Sequence, residues 1–196
     1  MTSLVAMTPW RDDANLGLAY NLAMGRLGAD EWALFVDHDA MPTTALWHRQ
    51  FREAIEFRPD AGAFVAMTNR IASSWQRCGD SESNDVAHHR RIGAERAKVR
   101  TLLDISGTKG WGGVAFAVSR QAWADVGGFA DGLGCVDHSL HFGLQRIGRK
   151  VWLVEGIYYY HWRHFREPDP TSKLPKAANC PCRGPETLPT QRITLP

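Results

Sequence analysis

A chain of 196 residues is long enough to bury one sizeable core, and at 44% hydrophobic and 22% charged it has the composition of a folded globular protein rather than a disordered one. A formal net charge of +2 gives no polyanion-binding signature over the whole chain, and no apolar run approaches the roughly 20 residues that cross a bilayer. The opening residues Met1 to Met7 lack the basic flank and long apolar centre of a secretion signal, so a cytoplasmic protein is expected, and Cys78, Cys135, Cys180 and Cys182 read as free thiols.

Thr2 to Thr8 is a short apolar run closed by Pro9 and predicts a first strand. Asn15 is placed to cap a helix whose Leu16, Ala19, Leu22, Ala23 and Leu27 share one face, with Gly28 as its stop. Trp32 to Val36 is a second strand. A helix after Pro42 turns Leu46, Trp47, Phe51, Ala54 and Ile55 inward. Gly62 to Thr68 is a third strand, 73–84 a loop, and Asp85 to Arg100 a strongly basic helix. A fourth strand over Gly113 to Ser119 leads into a short helix ended by Gly127-Gly128. Val136 to Ile147 is a helix closed by Gly148, and Lys150 to Tyr160 a last long strand. Strands alternating with helices predict an α/β layered sheet, mostly parallel at its start. From Phe165 onward seven prolines punctuate a segment with few apolar residues. Residues 1–165 therefore read as one domain and 166–196 as an extended or disordered tail outside the core.

Chemistry is concentrated where strands end. Val36-Asp37-His38-Asp39-Ala40 delivers two carboxylates directly after an apolar strand. Alternating carboxylates suit a hard cation such as Mg2+ or Mn2+, with Asp39 as ligand and Asp37 on the metal or a nearby sugar hydroxyl. A plain polar turn is the competing reading. His38 should point the other way, because side chains alternate along extended backbone. The long strand ends in Tyr160-His161-Trp162-Arg163-His164. If the two strand ends meet at one edge, His161 supplies a nitrogen to the cation of Asp39, and Arg163 or His164 can reach phosphate oxygens.

Thr8-Pro9-Trp10-Arg11 would lie at the same edge, with Trp10 able to stack on a base and Arg11 to pair with a phosphate; a surface turn is equally compatible. Asp137 opens a helix, where it is either an N-cap or a general base for an acceptor hydroxyl. The cluster His88-His89-Arg90-Arg91 with Arg96, Lys98 and Arg100 reads first as a solvated helix face and second as a docking surface for an anionic acceptor.

In order and spacing these pieces resemble a GT-A-fold glycosyltransferase, most similar to the family-two type and to its compact, phage-like members. The matching positions are Pro9, the Gly17 to Asn21 stretch, Asp37 to Asp39, Gly112-Gly113, Gly127-Gly128-Phe129, Asp137 and His161, spanning roughly Ser3 to Arg163. The resemblance implies a GT-A-like, Rossmann-like mixed sheet flanked by helices. It implies a metal-dependent transfer of sugar from a nucleoside-diphosphate sugar, a UDP-sugar being the expected donor, to a hydroxyl acceptor on a glycan, a protein or a modified nucleic acid. Asp39 and His161 would hold Mn2+ or Mg2+, with Asp37 on the ribose or the metal. Pro9, Trp10, Arg11, Gly17 and Asn21 would line the nucleotide side, and Trp111, Gly112 and Gly113 the donor or acceptor sugar. Asp137 would be the base of an inverting displacement.

The chain departs from that family in one large respect. A strand-helix unit that usually follows the first strand, and carries an acidic residue for the base, is missing between Arg11 and Gly17, so the fold is truncated in its N-terminal, nucleotide-binding half. The Trp111-Gly112-Gly113 stretch is also similar to polypeptide N-acetylgalactosaminyltransferases, which retain configuration, so the stereochemistry stays open. A non-catalytic sugar- or partner-binding relic of the fold is the main rival. A nucleotidyltransferase is weaker, because Thr8 to Arg11 lacks a glycine-rich loop.

Overall fold

The computed structural model describes residues 2–9, 13–162 and 188–196. In chain order its elements are β1 (Leu4–Met7), α1 (Leu16–Met24), β2 (Trp32–Val36), β3 (Ala40–Pro42), α2 (Trp47–Phe57), β4 (Ala63–Thr68) and α3 (Val86–Arg96). They continue with β5 (Thr101–Asp104), β6 (Ala115–Ser119), α4 (Arg120–Val126), α5 (Val136–Arg146), β7 (Val151–His161) and β8 (Gln191–Thr194). The strands form one mixed sheet in the order β1-β2-β6-β4-β7-β5-β8, with β3 paired to the end of β7. No helix among the described residues is long and apolar enough to cross a membrane.

Direction matters more than order. β1 runs parallel to β2 and β4 parallel to β7, while β6 lies antiparallel to both β2 and β4. The strands β1, β2, β4 and β7 therefore all point one way, and their carboxyl ends share one edge of the sheet with the amino end of β6. In α/β sheets that edge is where ligands bind.

Both faces of the sheet are covered, which is why its strands read as near-continuous apolar runs. Successive residues of β2, β4 and β6 alternate between two cores. Phe35, Val65 and Phe116 pack on one face with Tyr20 and Met24 of α1, Ala122 of α4 and Leu140 and Leu144 of α5. Leu34, Phe64 and Ala117 pack on the other with Phe51, Ala54 and Ile55 of α2.

Most sequence-predicted elements are present, and the differences have physical causes. Asn15 does cap α1, accepting from the Leu18 N–H at 2.9 Å, but the helix ends at Met24. Its inward face is set by Gly17, Tyr20 and Met24, and Leu22 is exposed. Leu46 is also exposed, one residue before α2 begins. The basic helix stops at Arg96, and Thr101–Asp104, for which the sequence predicts no element, forms β5.

The proline-rich tail corrects the expectation that 166–196 stays outside the core. Gln191–Thr194 pairs antiparallel with β5. Leu195 is buried in the second core, and Arg192 forms a double ion pair with Glu155 at 2.7 and 3.0 Å. Residues 163–187, including Cys180 and Cys182, lie outside the described residues. Cys78 is a free thiol.

Candidate metal centre

The site grows from the end of β2. Asp37 follows the last residue of that strand, and its N–H donates to the Val114 carbonyl at 2.9 Å, which ties it to the start of β6. The chain then turns tightly, with the Ala40 N–H on the Asp37 carbonyl at 3.1 Å, and returns as β3. This strand of three residues pairs antiparallel with the end of β7 in the register Ala40 to His161. The Trp162 N–H closes the ladder on the Asp39 carbonyl at 2.9 Å. Asp39 is thus held beside His161 by backbone bonding, although the two are far apart in sequence.

The side chains converge. His161 Nε2 lies 3.3 Å from Asp39 Oδ1 and 4.0 Å from Asp37 Oδ2. One ligand atom from each of Asp37, Asp39 and His161 falls within 4.8 Å of the others, which suits capture of a single ion. His38, between the two aspartates, is exposed.

The electrostatics fit a cation. Burial drives the Asp37 carboxyl up from an ordinary 3.8 to about 7; His161 opposes the rise, while the Asp39 and Asp137 charges add to it. Like charges crowded into a cleft are costly until a positive ion joins them. The orientation of His161 matches. Its Nδ1 lies 3.0 Å from the Arg70 carbonyl, which can only accept, so Nδ1 carries the proton and Nε2 faces the carboxylates. Two carboxylates and an imidazole nitrogen are a donor set suited to a divalent metal ion. Asp39, His161 and, with them, Asp37 are the residues able to hold such an ion.

Asp137 sits in the first turn of α5. It is not the N-cap: Cys135 occupies that position with a left-handed backbone and no side-chain capping hydrogen bond. The Asp137 Oδ1 accepts from the following His138 N–H at 2.8 Å, and the side chain lies beside Gly113, where a Cβ would stand 3.5 Å from Oδ2. It is close enough to Asp37 to help raise that carboxyl's pKa.

The other sequence candidates separate into two groups. Thr8 is exposed and Pro9 half-buried, at the same edge after β1. Trp10, Arg11 and Arg163 lie outside the described residues. Several residues expected to line the nucleotide or sugar are instead occupied structurally. Gly17 is buried, and a Cβ there would come within 1.8 Å of the Ala130 carbonyl oxygen. Asn21 spends its amide on the Gly127-Gly128-Phe129 turn, where Oδ1 accepts from the Phe129 N–H at 2.8 Å and the Trp123 indole at 2.9 Å and Nδ2 donates to the Phe129 carbonyl at 2.9 Å. Both glycines of that turn have positive φ, 84° and 92°. Trp111 is fully buried against Phe116 and His141, a core residue rather than a cleft wall. Gly112 bonds Gln76 and leaves room for Ile71. Gly113 is half-buried beside Asp137.

The basic run also resolves into structure. His89 is buried, bonded to the Tyr158 hydroxyl at 2.7 Å and the Ser83 carbonyl at 2.9 Å. Arg96 donates to the Glu155 carbonyl, Arg100 pairs with Glu53 and Lys98 with Glu95. Arg90 and Arg91 remain exposed.

No family model matches the chain, and no curated protein sequence matches it. Among solved structures it is similar to GalNAc-T7 crystallised with UDP, GalNAc and Mn2+, with a TM-score of 0.50 and 12% sequence identity over 76% of this chain. The likeness covers 30% of that structure's chain, so the present chain spans less than a third of its neighbour's length. With the mixed sheet and its flanking helices, the likeness shows a GT-A-like fold.

Proposed function

We propose that this chain is a metal-dependent glycosyltransferase that moves a sugar from a nucleoside-diphosphate sugar, a UDP-sugar in our reading, to a hydroxyl acceptor. The observation that carries the proposal is the convergence of Asp37, Asp39 and His161 at the carboxyl edge of the parallel strands, with Nε2 of the imidazole turned toward both carboxylates. The GT-A-like neighbour, solved with UDP and Mn2+, favours the same donor and ion.

In this reading Asp39 and His161 hold Mn2+ or Mg2+, and Asp37 contacts the ion or the ribose. The bound ion supplies positive charge that offsets the negative charge gathering on the departing diphosphate. Asp137, next to Gly113 on the cleft, accepts the proton of the acceptor hydroxyl as its oxygen bonds the anomeric carbon and the bond to the diphosphate breaks. Such a displacement inverts the anomeric centre. The segment after β1 at Thr8 and Pro9 lies on the nucleotide side in this reading, with Trp10, Arg11 and Arg163 as further donor contacts.

Calorimetry with UDP, with and without Mn2+, tests the reading. Metal-dependent binding that disappears in Asp39→Ala supports it. Binding in Asp39→Ala equal to that of the unaltered chain, metal included, refutes it. A screen of UDP-sugars for Mn2+-dependent hydrolysis, with the product anomer read by NMR, then fixes donor and stereochemistry. A second reading, a non-catalytic relic of the fold, is favoured by the structural occupation of Gly17, Asn21 and Trp111. It predicts no metal-dependent nucleotide binding.

A further inference from the structure

We infer that Asn69 and Arg70, the two residues that follow β4, are positioning residues for His161, an inference that rests on reading His161 as a metal ligand. Both are buried, Asn69 fully and Arg70 to 8% exposure. Together they grip His161 at three points. The His161 backbone N–H donates to Asn69 Oδ1 at 2.8 Å, its ring Nδ1–H donates to the Arg70 carbonyl at 3.0 Å, and its own carbonyl accepts from Arg70 Nη1 at 3.1 Å. The same Nη1 reaches the Trp162 carbonyl at 2.8 Å.

The rest of the guanidinium ties this strand end to the loop before α3. Nε donates to the Ser81 carbonyl at 2.7 Å, and Nη2 to the Ser83 carbonyl at 2.8 Å and to Asn84 Oδ1 at 2.7 Å. A guanidinium can serve acceptors in these separate directions because its donors form a rigid planar fork, whereas a lysine ammonium presents its donors from one nitrogen. Closing the end of β7 requires only backbone bonds. The contact to ring Nδ1 does something more: it fixes which ring nitrogen is protonated and how the ring is turned. If the imidazole flips, a carbon replaces Nε2 in front of the carboxylates. Partners of this kind behind a metal-bound histidine typically change metal affinity 10- to 100-fold when lost.

The test compares the unaltered chain with Arg70→Lys and with Asn84→Ala, which removes one acceptor of the guanidinium together with that of the Tyr160 hydroxyl. Two quantities are read: Mn2+ affinity by calorimetry, and solvent exchange of the His161 Nδ1 proton by NMR on the metal-free protein. Arg70→Lys is expected to weaken Mn2+ binding about tenfold and to speed Nδ1 proton exchange, with Asn84→Ala moving both in the same direction by less. A folded Arg70→Lys with Mn2+ affinity within twofold of the unaltered chain and unchanged exchange overturns the inference. If Arg70→Lys does not fold, Asn84→Ala decides, and no change in either quantity overturns it. If the unaltered chain binds no Mn2+, the reading of His161 as a ligand falls. The exchange measurement then decides by itself whether this pair fixes the ring.

Discussion

Replacing Asp37 by Asn should stabilise the metal-free protein and at the same time destroy its response to metal. The Asp37 carboxyl is raised from 3.8 to about 7, chiefly by burial, so folding disfavours its ionised form. A group with a raised folded pKa contributes fully below its unfolded value and loses that contribution as pH climbs through the folded one. The cost of the charge therefore accumulates between about pH 4 and pH 7 and is constant above. Its ceiling is about 4 kcal/mol. The side chain keeps 31% of its exposure, so solvent screening lowers the expected gain for Asp37→Asn to about 1–2 kcal/mol at pH 8. For a chain of this size that is a rise in Tm of roughly 2–8 °C.

The assay is a set of thermal melts in EDTA from pH 4 to 8, repeated with saturating Mn2+. In EDTA the two proteins should melt together near pH 4 and diverge up to about pH 7, with the variant higher. With Mn2+ at 100 times its Kd the unaltered chain gains about 2.7 kcal/mol and the order reverses. A variant that melts no higher than the unaltered chain at pH 8 in EDTA, or that gains as much from Mn2+, would refute the reasoning.

Three further outcomes are expected. Asn21→Ala leaves the Phe129 N–H and the Trp123 indole without their acceptor and should cost about 2–3 kcal/mol in urea unfolding, while the folded fraction binds Mn2+ as before. Leu195→Ala should lower stability by about 2 kcal/mol, because Leu195, directly after β8, is buried in the second core; a tail outside the core would show no change. Asp137→Asn should leave Mn2+-dependent UDP binding intact and reduce sugar transfer at least 100-fold, separating its part as base from the hold on the donor.

The three converging side chains were legible because each stands at the end of an apolar strand, and parallel strands deliver their ends to one edge. What aligns them was not. β3 is Ala40-Met41-Pro42, too short and too proline-bound to signal a strand, yet its pairing with β7 sets Asp39 against His161. Arg70 has no local signature, since its partners are mostly backbone carbonyls, two of them more than 90 residues away. Asn21 has the residue type of a ligand contact, but its partner turn lies 108 residues on, and only the fold shows the amide to be occupied. Trp111 was expected on the sugar side from the resemblance alone, and only the fold shows it buried against Phe116 and His141. The last strand was hidden by prolines at 185, 189 and 196, which outweighed the alternation of Ile193 and Leu195.

The metal half of the site depends on β2, β3 and β7, whereas base recognition in this fold would draw on structure beyond β1. Among the described residues nothing pairs with the outer edge of β1, and residues 8–15 alone connect it to α1. In the glycosyltransferase reading, affinity for a nucleotide must then come mainly from the diphosphate and its cation, a contribution common to every nucleoside diphosphate. UDP and GDP should therefore bind within about fivefold of each other in Mn2+, a difference of about 1 kcal/mol, while EDTA should weaken both far more. Competition calorimetry measures this directly. A preference for UDP greater than about 100-fold would mean that a base pocket exists without the missing strand, and the division of labour argued from β1 would be wrong.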